Sequence, residues 1–336
     1  MPQIDYAVRP AKNVERKMIA EALARLSKLQ SPDEFRYVGL GALYFRDFSL
    51  FHKVLGIHDM YSIEHNTSEQ ARYLFNRPFK CVKMCFGEST DELPKIPLNE
   101  KLNVVWLDYE SMITSDILTD ISRVCSEALA GSVLIVTLNA EARSIGIREE
   151  SGEAGEAADD LESAALSPKP KKRDPLEQLK EQLPGKIPVE TRKSDLAGWG
   201  TADLFRKIVE NQIAQTLKDR NGILGPEDVL AYEPFFDFRY ADGARMLTTG
   251  GILRAHKQKD ALLACNIHGL PFCDPANHPF IIPSPRLTYR ERRHLNVQLP
   301  EADLEAISQG EGIPQRDIKA YGKVYRYFPN FSEVDI

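Results

Sequence analysis

Two carboxylates stand where strands end, and their surroundings set what chemistry they can do. Residues 35–38 read as a partly apolar strand, and Gly39-Leu40-Gly41-Ala42 after it is expected to turn tightly. A helix over residues 48–55 follows, with Phe48, Phe51 and Leu55 on one face and Gly56 as its stop. Residues 60–63 form the next strand and deliver Glu64 at its C-terminal end, the edge of an open α/β sheet where ligands sit. An acidic side chain there can accept hydrogen bonds from both hydroxyls of a ribose. The bland alternative is a tight strand–helix corner with a solvated Glu64. The order of elements downstream favours the nucleoside-binding reading. The second carboxylate, Asp108, ends an apolar strand over residues 103–107 and is followed by Tyr109 and Glu110. Asp108 is the first candidate for a proton-accepting base, with Tyr109 beside it.

A basic cluster lies near the start: Arg9-Pro10-Ala11-Lys12, then Arg16 and Lys17. A helix over residues 13–26 carries the last two, with Asn13 as its expected cap and Val14, Met18, Ala22 and Leu26 as one apolar stripe. The cluster is either the solvated face of a covering helix or, through Arg9 and Lys12, a grip on an anionic substrate. The solvated face is the expectation, since Arg and Lys are mostly exposed. Cys265, His268 and Cys273 match no standard zinc spacing, nor do Cys81 and Cys85, and all are read as thiols and packing groups rather than metal ligands.

With 336 residues, 43% of them hydrophobic, the chain can bury a full core. A net charge of −6 gives no global attraction to nucleic acid or anionic membrane. Five cysteines fit a reducing cytoplasm better than a disulfide scaffold. Residues 1–9 lack the pattern of a secretory signal, and no apolar run approaches the roughly 20 residues that span a bilayer. A cytoplasmic protein is expected.

Strands and helices alternate through residue 140. A helix over 67–76 leads to a strand at 81–86, and the polar turn from Gly87 to Pro94 follows. A helix over 116–130, capped by Ser115 and stopped by Gly131, faces Ile117, Ile121, Val124 and Ala128 inward. The strand at 133–138 then ends at Asn139. This rhythm argues for parallel βα units. Residues 151–167, rich in Gly, Ala, Ser, Asp and Glu, and the basic run 168–173 are expected to be a flexible insertion. A long helix capped by Thr201 faces Leu204, Phe205, Ile208, Ile213 and Leu217 inward, and two apolar runs meet across Asp242-Gly243 as a hairpin. A capping box, Thr288 with Glu291, opens a helix bearing Arg290, Arg292 and Arg293, and Tyr325, Tyr327, Phe328 and Phe331 are read as anchors for the tail. The fold class is α/β: a Rossmann-like α/β/α sandwich, mostly parallel, with a C-terminal antiparallel hairpin and helical extensions. Five units are expected: a helical cover over 1–30, a cofactor-binding half over 31–140, the insertion over 141–195, the second half of the sheet over 196–256 and a helical extension over 257–336.

In this order the features resemble S-adenosylmethionine-dependent methyltransferases of the Rossmann-like class, most nearly the catechol-type O-methyltransferases. The resemblance lies in Gly39-Leu40-Gly41-Ala42, Tyr61-Ser62-Ile63-Glu64-His65-Asn66, Gly87-Glu88-Ser89-Thr90 and Val105-Trp106-Leu107-Asp108. It implies that Gly39, Gly41 and Ala42 turn around the methionine part of S-adenosyl-L-methionine. It also implies that Glu64 and His65 flank the ribose, that Glu88 and Ser89 border the adenine, and that Asp108 faces the sulfonium and substrate. Asn139, with Arg9 and Lys12, would border the acceptor. Metal-dependent members carry Asp-Asn after the fifth strand and a lysine three residues after the fourth-strand aspartate. This chain has Leu138-Asn139 and Ser111, so no metal is assigned.

The expected function is methyl transfer to an unidentified acceptor, most simply at oxygen. Two alternatives stay open: a non-catalytic S-adenosylmethionine-binding regulatory or scaffold protein, and a nucleic-acid-modifying methyltransferase using Arg290, Arg292, Arg293 and the run 168–173 on phosphates.

Overall fold

Alternate residues of the central strands serve two separate cores, and this fixes the layering. The computed structural model describes residues 9–141, 174–274, 276, 278–300, 304, 307 and 312–330. Tyr37, Val104, Trp106, Val133 and Ile135 point into one apolar layer, and their chain neighbours Val38, Val105, Leu107, Leu134 and Val136 point into the other. A parallel sheet buried on both faces demands this. Five strands run parallel: β1 (Arg36–Leu40), β2 (Asp59–Glu64), β3 (Val82–Phe86), β4 (Asn103–Asp108) and β5 (Ser132–Asn139). The hairpin strands β6 (Leu230–Ala241) and β7 (Arg245–Ala255) join through β7, which is antiparallel to both β5 and β6. Gly243, at φ +103°, makes the hairpin turn where the dipeptide predicted it. A two-residue strand, β8 (Phe280–Ile281), pairs with β6, giving the order β3-β2-β1-β4-β5-β7-β6-β8. This is the Rossmann-like methyltransferase sheet that the sequence led one to expect.

In chain order the helices are α1 (Pro10–Arg25), α2 (Arg46–Leu55), α3 (Gln70–Asn76), α4 (Ser89–Glu92), α5 (Ser115–Glu127), α6 (Pro175–Gln182), α7 (Gly200–Asn221), α8 (Lys259–Ala264), α9 (Tyr289–Gln298) and α10 (Gln315–Val324). Helices α1, α2 and α8 cover the first apolar layer, and α5, α6 and α7 the second. None of the described helices is long and apolar enough to cross a membrane.

Several boundaries move. Helix α1 starts at Pro10, where the missing N–H costs nothing, so Asn13 lies inside it and is not the cap. Thr114, not Ser115, caps α5, its hydroxyl accepting from the Ile117 N–H at 3.3 Å. Thr201 does not cap α7, which begins one residue earlier; its hydroxyl donates to the Leu196 carbonyl at 3.0 Å. The five inward residues of α7 are buried as spaced. Order returns well before residue 195: Asp174 caps α6, and Leu176, Leu179 and Leu183 are buried in the second layer. Residues 151–173 lie outside the described residues.

Helices α9 and α10 share a small core of Leu295, Ile313, Ile318 and Tyr321. The Thr288–Glu291 capping box forms as expected. Arg292, considered above as a phosphate contact, is buried instead. Its guanidinium donates to the Pro329 carbonyl at 2.9 Å and lies 5.7 Å from the Phe328 ring centre, clamping the tail. Tyr325, Tyr327 and Phe328 pack inward as anchors, while Phe331 lies outside the described residues.

His268 meets Cys273 through the latter's carbonyl oxygen, at 3.1 Å. Burial pushes the Cys125 and Cys273 thiols up to about 12, and Cys265 is buried too. Only the thiolate is nucleophilic. A disulfide reagent is therefore expected to titrate Cys81 fastest in the native protein, Cys85 more slowly because burial also pushes its thiol up, and the other three only after denaturation. Five fast thiols in the native protein would contradict this packing.

Candidate functional site

Glu64, Asp108 and Asn139 end β2, β4 and β5 at one edge of the sheet, and the turn after β1 lies between the first two. Strand β1 extends through Gly39 and Leu40, so those residues do not turn; the turn begins at Gly41. At Gly39 an added Cβ would meet the Tyr37 hydroxyl oxygen at 2.6 Å, a packing reason for glycine. Gly41 donates its N–H to the Ile63 carbonyl at 2.5 Å. A Cβ on Gly41 would lie 2.9 Å from Ser62 Oγ, 3.0 Å from the Ile63 carbonyl and 3.1 Å from Glu64 Oε2. The backbone of the turn thus lies hard against the end of β2, beside Glu64. The turn, including Ala42, closes on Phe45, which is fully buried and left-handed at φ +46°. A bulky residue held there costs about 1–3 kcal/mol. Its edge-on packing with Phe48, ring centres 5.7 Å apart, offsets that cost and fixes the turn.

The Glu64 side chain is 2% exposed and accepts from the Asn66 N–H at 2.8 Å. Burial holds its carboxyl above the ordinary carboxylate range, opposed by the Asn66 N–H, His65 and the Tyr73 hydroxyl. His65 stands on the solvent side, its Nδ1 3.4 Å from Glu64 Oε1. Ser62 Oγ is buried with no hydrogen-bond partner among the described residues.

Glu88 is exposed just before α4, and the Gly87 N–H ties the end of β3 to the Glu64 carbonyl at 3.1 Å. Ser89 and Tyr109 both donate to one oxygen of Asp120 on α5, at 2.5 and 2.6 Å. The sequence reading missed Asp120, which is 1% exposed. Burial, reinforced by Asp120, holds the Tyr109 phenol well above its ordinary range. Its proton is engaged, so Asp108 is the better candidate base of the two.

Asp108 Oδ1 lies 2.6 Å from Lys12 Nζ, which lies 2.8 Å from Glu15 Oε2. The Lys12 and Glu15 side chains are 4% and 0% exposed, whereas Asp108 keeps 27%. The solvated-face expectation for this cluster fails at Lys12 and Arg16, both buried. The reason is local: α1 is wedged between α2 and β6, so its polar side also turns inward. Its first turn is pinned to the same edge, where the Ala11 N–H donates to Asp242 Oδ2 at 2.9 Å. Arg9, half-buried, precedes this turn. From Glu15 the network runs into the sheet. Thr248 Oγ1 donates to Glu15, Thr137 Oγ1 lies 2.8 Å from Thr248 Oγ1, and Trp106 Nε1 donates to Thr137 Oγ1 at 2.9 Å. Asn139 shapes the neighbouring loop, its N–H donating to the Ser111 carbonyl and its Oδ1 accepting from the Glu141 N–H, each at 2.9 Å.

The family model described as "Putative O-methyltransferase" matches residues 4–336. The chain belongs to that family. Among solved structures it is similar to Trm1 from Pyrococcus horikoshii in complex with S-adenosyl-L-methionine, with 8% identity and a TM-score of 0.41 over 74% of this chain and 56% of that one. It is also similar to the fibrillarin pre-rRNA processing protein of Methanococcus jannaschii, with 12% identity and a TM-score of 0.34 over 67% and 70%. A third is an S-adenosylmethionine-bound amino pentose methyltransferase from Micromonospora echinaspora, with 14% identity and a TM-score of 0.26 over 36% and 48%. The chain thus spans about half of the first and third of these proteins. No curated protein matches it.

The described residues of this O-methyltransferase family member fit the nucleoside cofactor at the β1–β2 end. Gly41 leaves room against Glu64, the carboxylate is held by backbone, and Ser62 Oγ is an unused polar atom beside both. Sequence reasoning missed Glu15, Thr248 and Asp120. A Lys-x-x-Glu pair within α1 was the one available signal for the first.

Proposed function

We propose that this chain is an S-adenosyl-L-methionine-dependent methyltransferase acting on an oxygen acceptor. The observation that carries the reading is the close approach of the Gly41 turn to the end of β2, where a Cβ would meet Ser62 Oγ at 2.9 Å and the Ile63 carbonyl at 3.0 Å beside the Glu64 carboxylate, at the strand end where a ribose would lie. When bound, the cofactor supplies an electrophilic methyl group. Glu64 accepts from the ribose hydroxyls, and the backbone at Gly41 and Ala42 passes beside the methionine part. Ser89 and the exposed Glu88 border the adenine end, and Tyr109 with Asp120 form the wall beneath it. Methyl transfer needs alignment, and positioning alone can lower a barrier by several kcal/mol. Asp108 takes the proton of a hydroxyl acceptor, since its partly exposed carboxylate is the one Lys12 holds at the open edge. Arg9 and Asn139 border the acceptor.

The test is turnover of S-adenosylmethionine to S-adenosylhomocysteine with a panel of hydroxyl-bearing metabolites. Asp108→Asn should lower kcat by about a hundredfold or more while cofactor binding persists. Tight binding without turnover on any acceptor would instead favour a regulatory or scaffold protein. Buried Arg292 removes one phosphate contact that the nucleic-acid alternative needed.

A further inference from the structure

Glu15 is a second carboxylate behind Asp108, fully buried, and the methyl-transfer reading gives it no task. From α1 come Lys12, Glu15 and Arg16; Asp108 comes from β4; Tyr240, from β6, places its hydroxyl 3.4 Å from Glu15 Oε2. Arg16 interacts with Asp47 of α2, which also accepts from Tyr37, and these two charges balance. Asp242, at the mouth, is bonded to the Ala11 N–H and to Ser284. Lys12 is shared by two carboxylates, so Lys12, Glu15 and Asp108 together carry one excess negative charge, while Arg9, two residues before Ala11, and Asp242 add one charge of each sign; of the three, only Asp108 opens to solvent.

The hydrogen-bond chain agrees with an ionised Glu15. An indole N–H only donates, so Trp106 makes Thr137 an acceptor. The ordering that satisfies every group has Thr137 donating to Thr248 and Thr248 donating to Glu15. Lys12 completes the other oxygen at 2.8 Å and presents its ammonium to the Trp106 ring at 4.8 Å.

We infer that Glu15, through Lys12, sets the charge behind Asp108 so that the site favours a cationic cofactor over its uncharged product. This rests on the S-adenosylmethionine reading above. In the transfer, an acceptor oxygen lone pair forms the new C–O bond as the C–S bond breaks, and that electron pair stays on sulfur. The sulfonium loses its positive charge, and the acceptor proton leaves to a base. Before the step, sulfonium and cluster sum to zero; directly after it, with the proton on Asp108, thioether and cluster are each neutral, and once Asp108 passes that proton to solvent the cluster's negative charge faces an uncharged sulfur. Glu15 is a positioning and specificity-determining residue here, touching neither cofactor nor acceptor.

The experiment is calorimetric titration of the full chain with S-adenosylmethionine and S-adenosylhomocysteine, read as the ratio of their dissociation constants. Glu15→Gln should shift that ratio toward the product by about tenfold, the size of one unit charge acting across a partly desolvated site. Glu15→Met serves in its place where the glutamine variant does not fold. Thr248→Val removes the hydrogen bond without changing charge and should leave the ratio at its native value. The double variant Lys12→Met/Glu15→Met removes one charge of each sign and should also restore the native ratio. An unchanged ratio in Glu15→Gln, or an equal shift in Thr248→Val, overturns the inference while leaving the cofactor reading intact. Failure of the native protein to bind either nucleoside overturns both.

Discussion

Lys12→Met is expected to destabilise the fold by about 3–5 kcal/mol, the usual cost of removing one partner from a buried ion pair. The substitution leaves Glu15, wholly buried, and Asp108 facing each other without the ammonium that lies 2.8 and 2.6 Å from them. The uncharged thioether cannot replace it, because burial already raises the Glu15 pKa and Lys12 is the strongest influence lowering it. The sign of the pH dependence follows. Without Lys12 the folded-state pKa of Glu15 rises further above its unfolded value. Well below the unfolded pKa the residue is protonated in both states and costs nothing. As pH climbs through that value toward the folded pKa, the penalty grows, and above the folded pKa it is fully present. Denaturant melts should therefore show a smaller deficit against the native protein at mildly acidic pH than at pH 8. A deficit independent of pH would mean that lost packing, not charge, dominates.

Glu64→Ala is the second large effect. Loss of a charge-assisted hydrogen bond costs about 1.5–3 kcal/mol, or roughly tenfold to a hundredfold in affinity for S-adenosylmethionine. The side chain is 2% exposed and already bonded to the Asn66 N–H, so it is pre-placed and little ordering entropy offsets the loss. Burial raises its pKa above the ordinary glutamate value. Ribose hydroxyls donate to the ionised form. Cofactor affinity should accordingly weaken as pH falls through a carboxylate pKa above that value, and Glu64→Gln should lose this dependence. Unchanged calorimetric affinity in Glu64→Ala would remove Glu64 from the ribose.

The parts of this protein that local pattern encodes were legible, and those that assembly creates were not. The βαβ unit ending at Glu64, the apolar face of α5 and the hairpin across Gly243 depend on spacing within one or two elements, and each appeared where expected. Gly39 misled because glycine inside a strand looks like a turn; its role is to clear the Tyr37 side chain. Lys12 and Arg16 misled because charge on a helix usually marks the wet side, and only the packing of α1 against α2 and β6 turns it inward. Asp120 looked like the polar face of α5. Its partners, Ser89 and Tyr109, come from the ends of two other elements, which no helical spacing reveals. The order resumed at Asp174 was hidden by the polar composition that surrounds Leu176 and Leu179.

The most direct measurement is a crystal structure with S-adenosylhomocysteine bound. Both ribose hydroxyls should lie within hydrogen-bond distance of the Glu64 carboxylate, with the sulfur toward Asp108 and the chain of the amino acid passing Gly41. A nucleoside found anywhere else, with Glu64 still bonded only within its own fold, would contradict the account at its root.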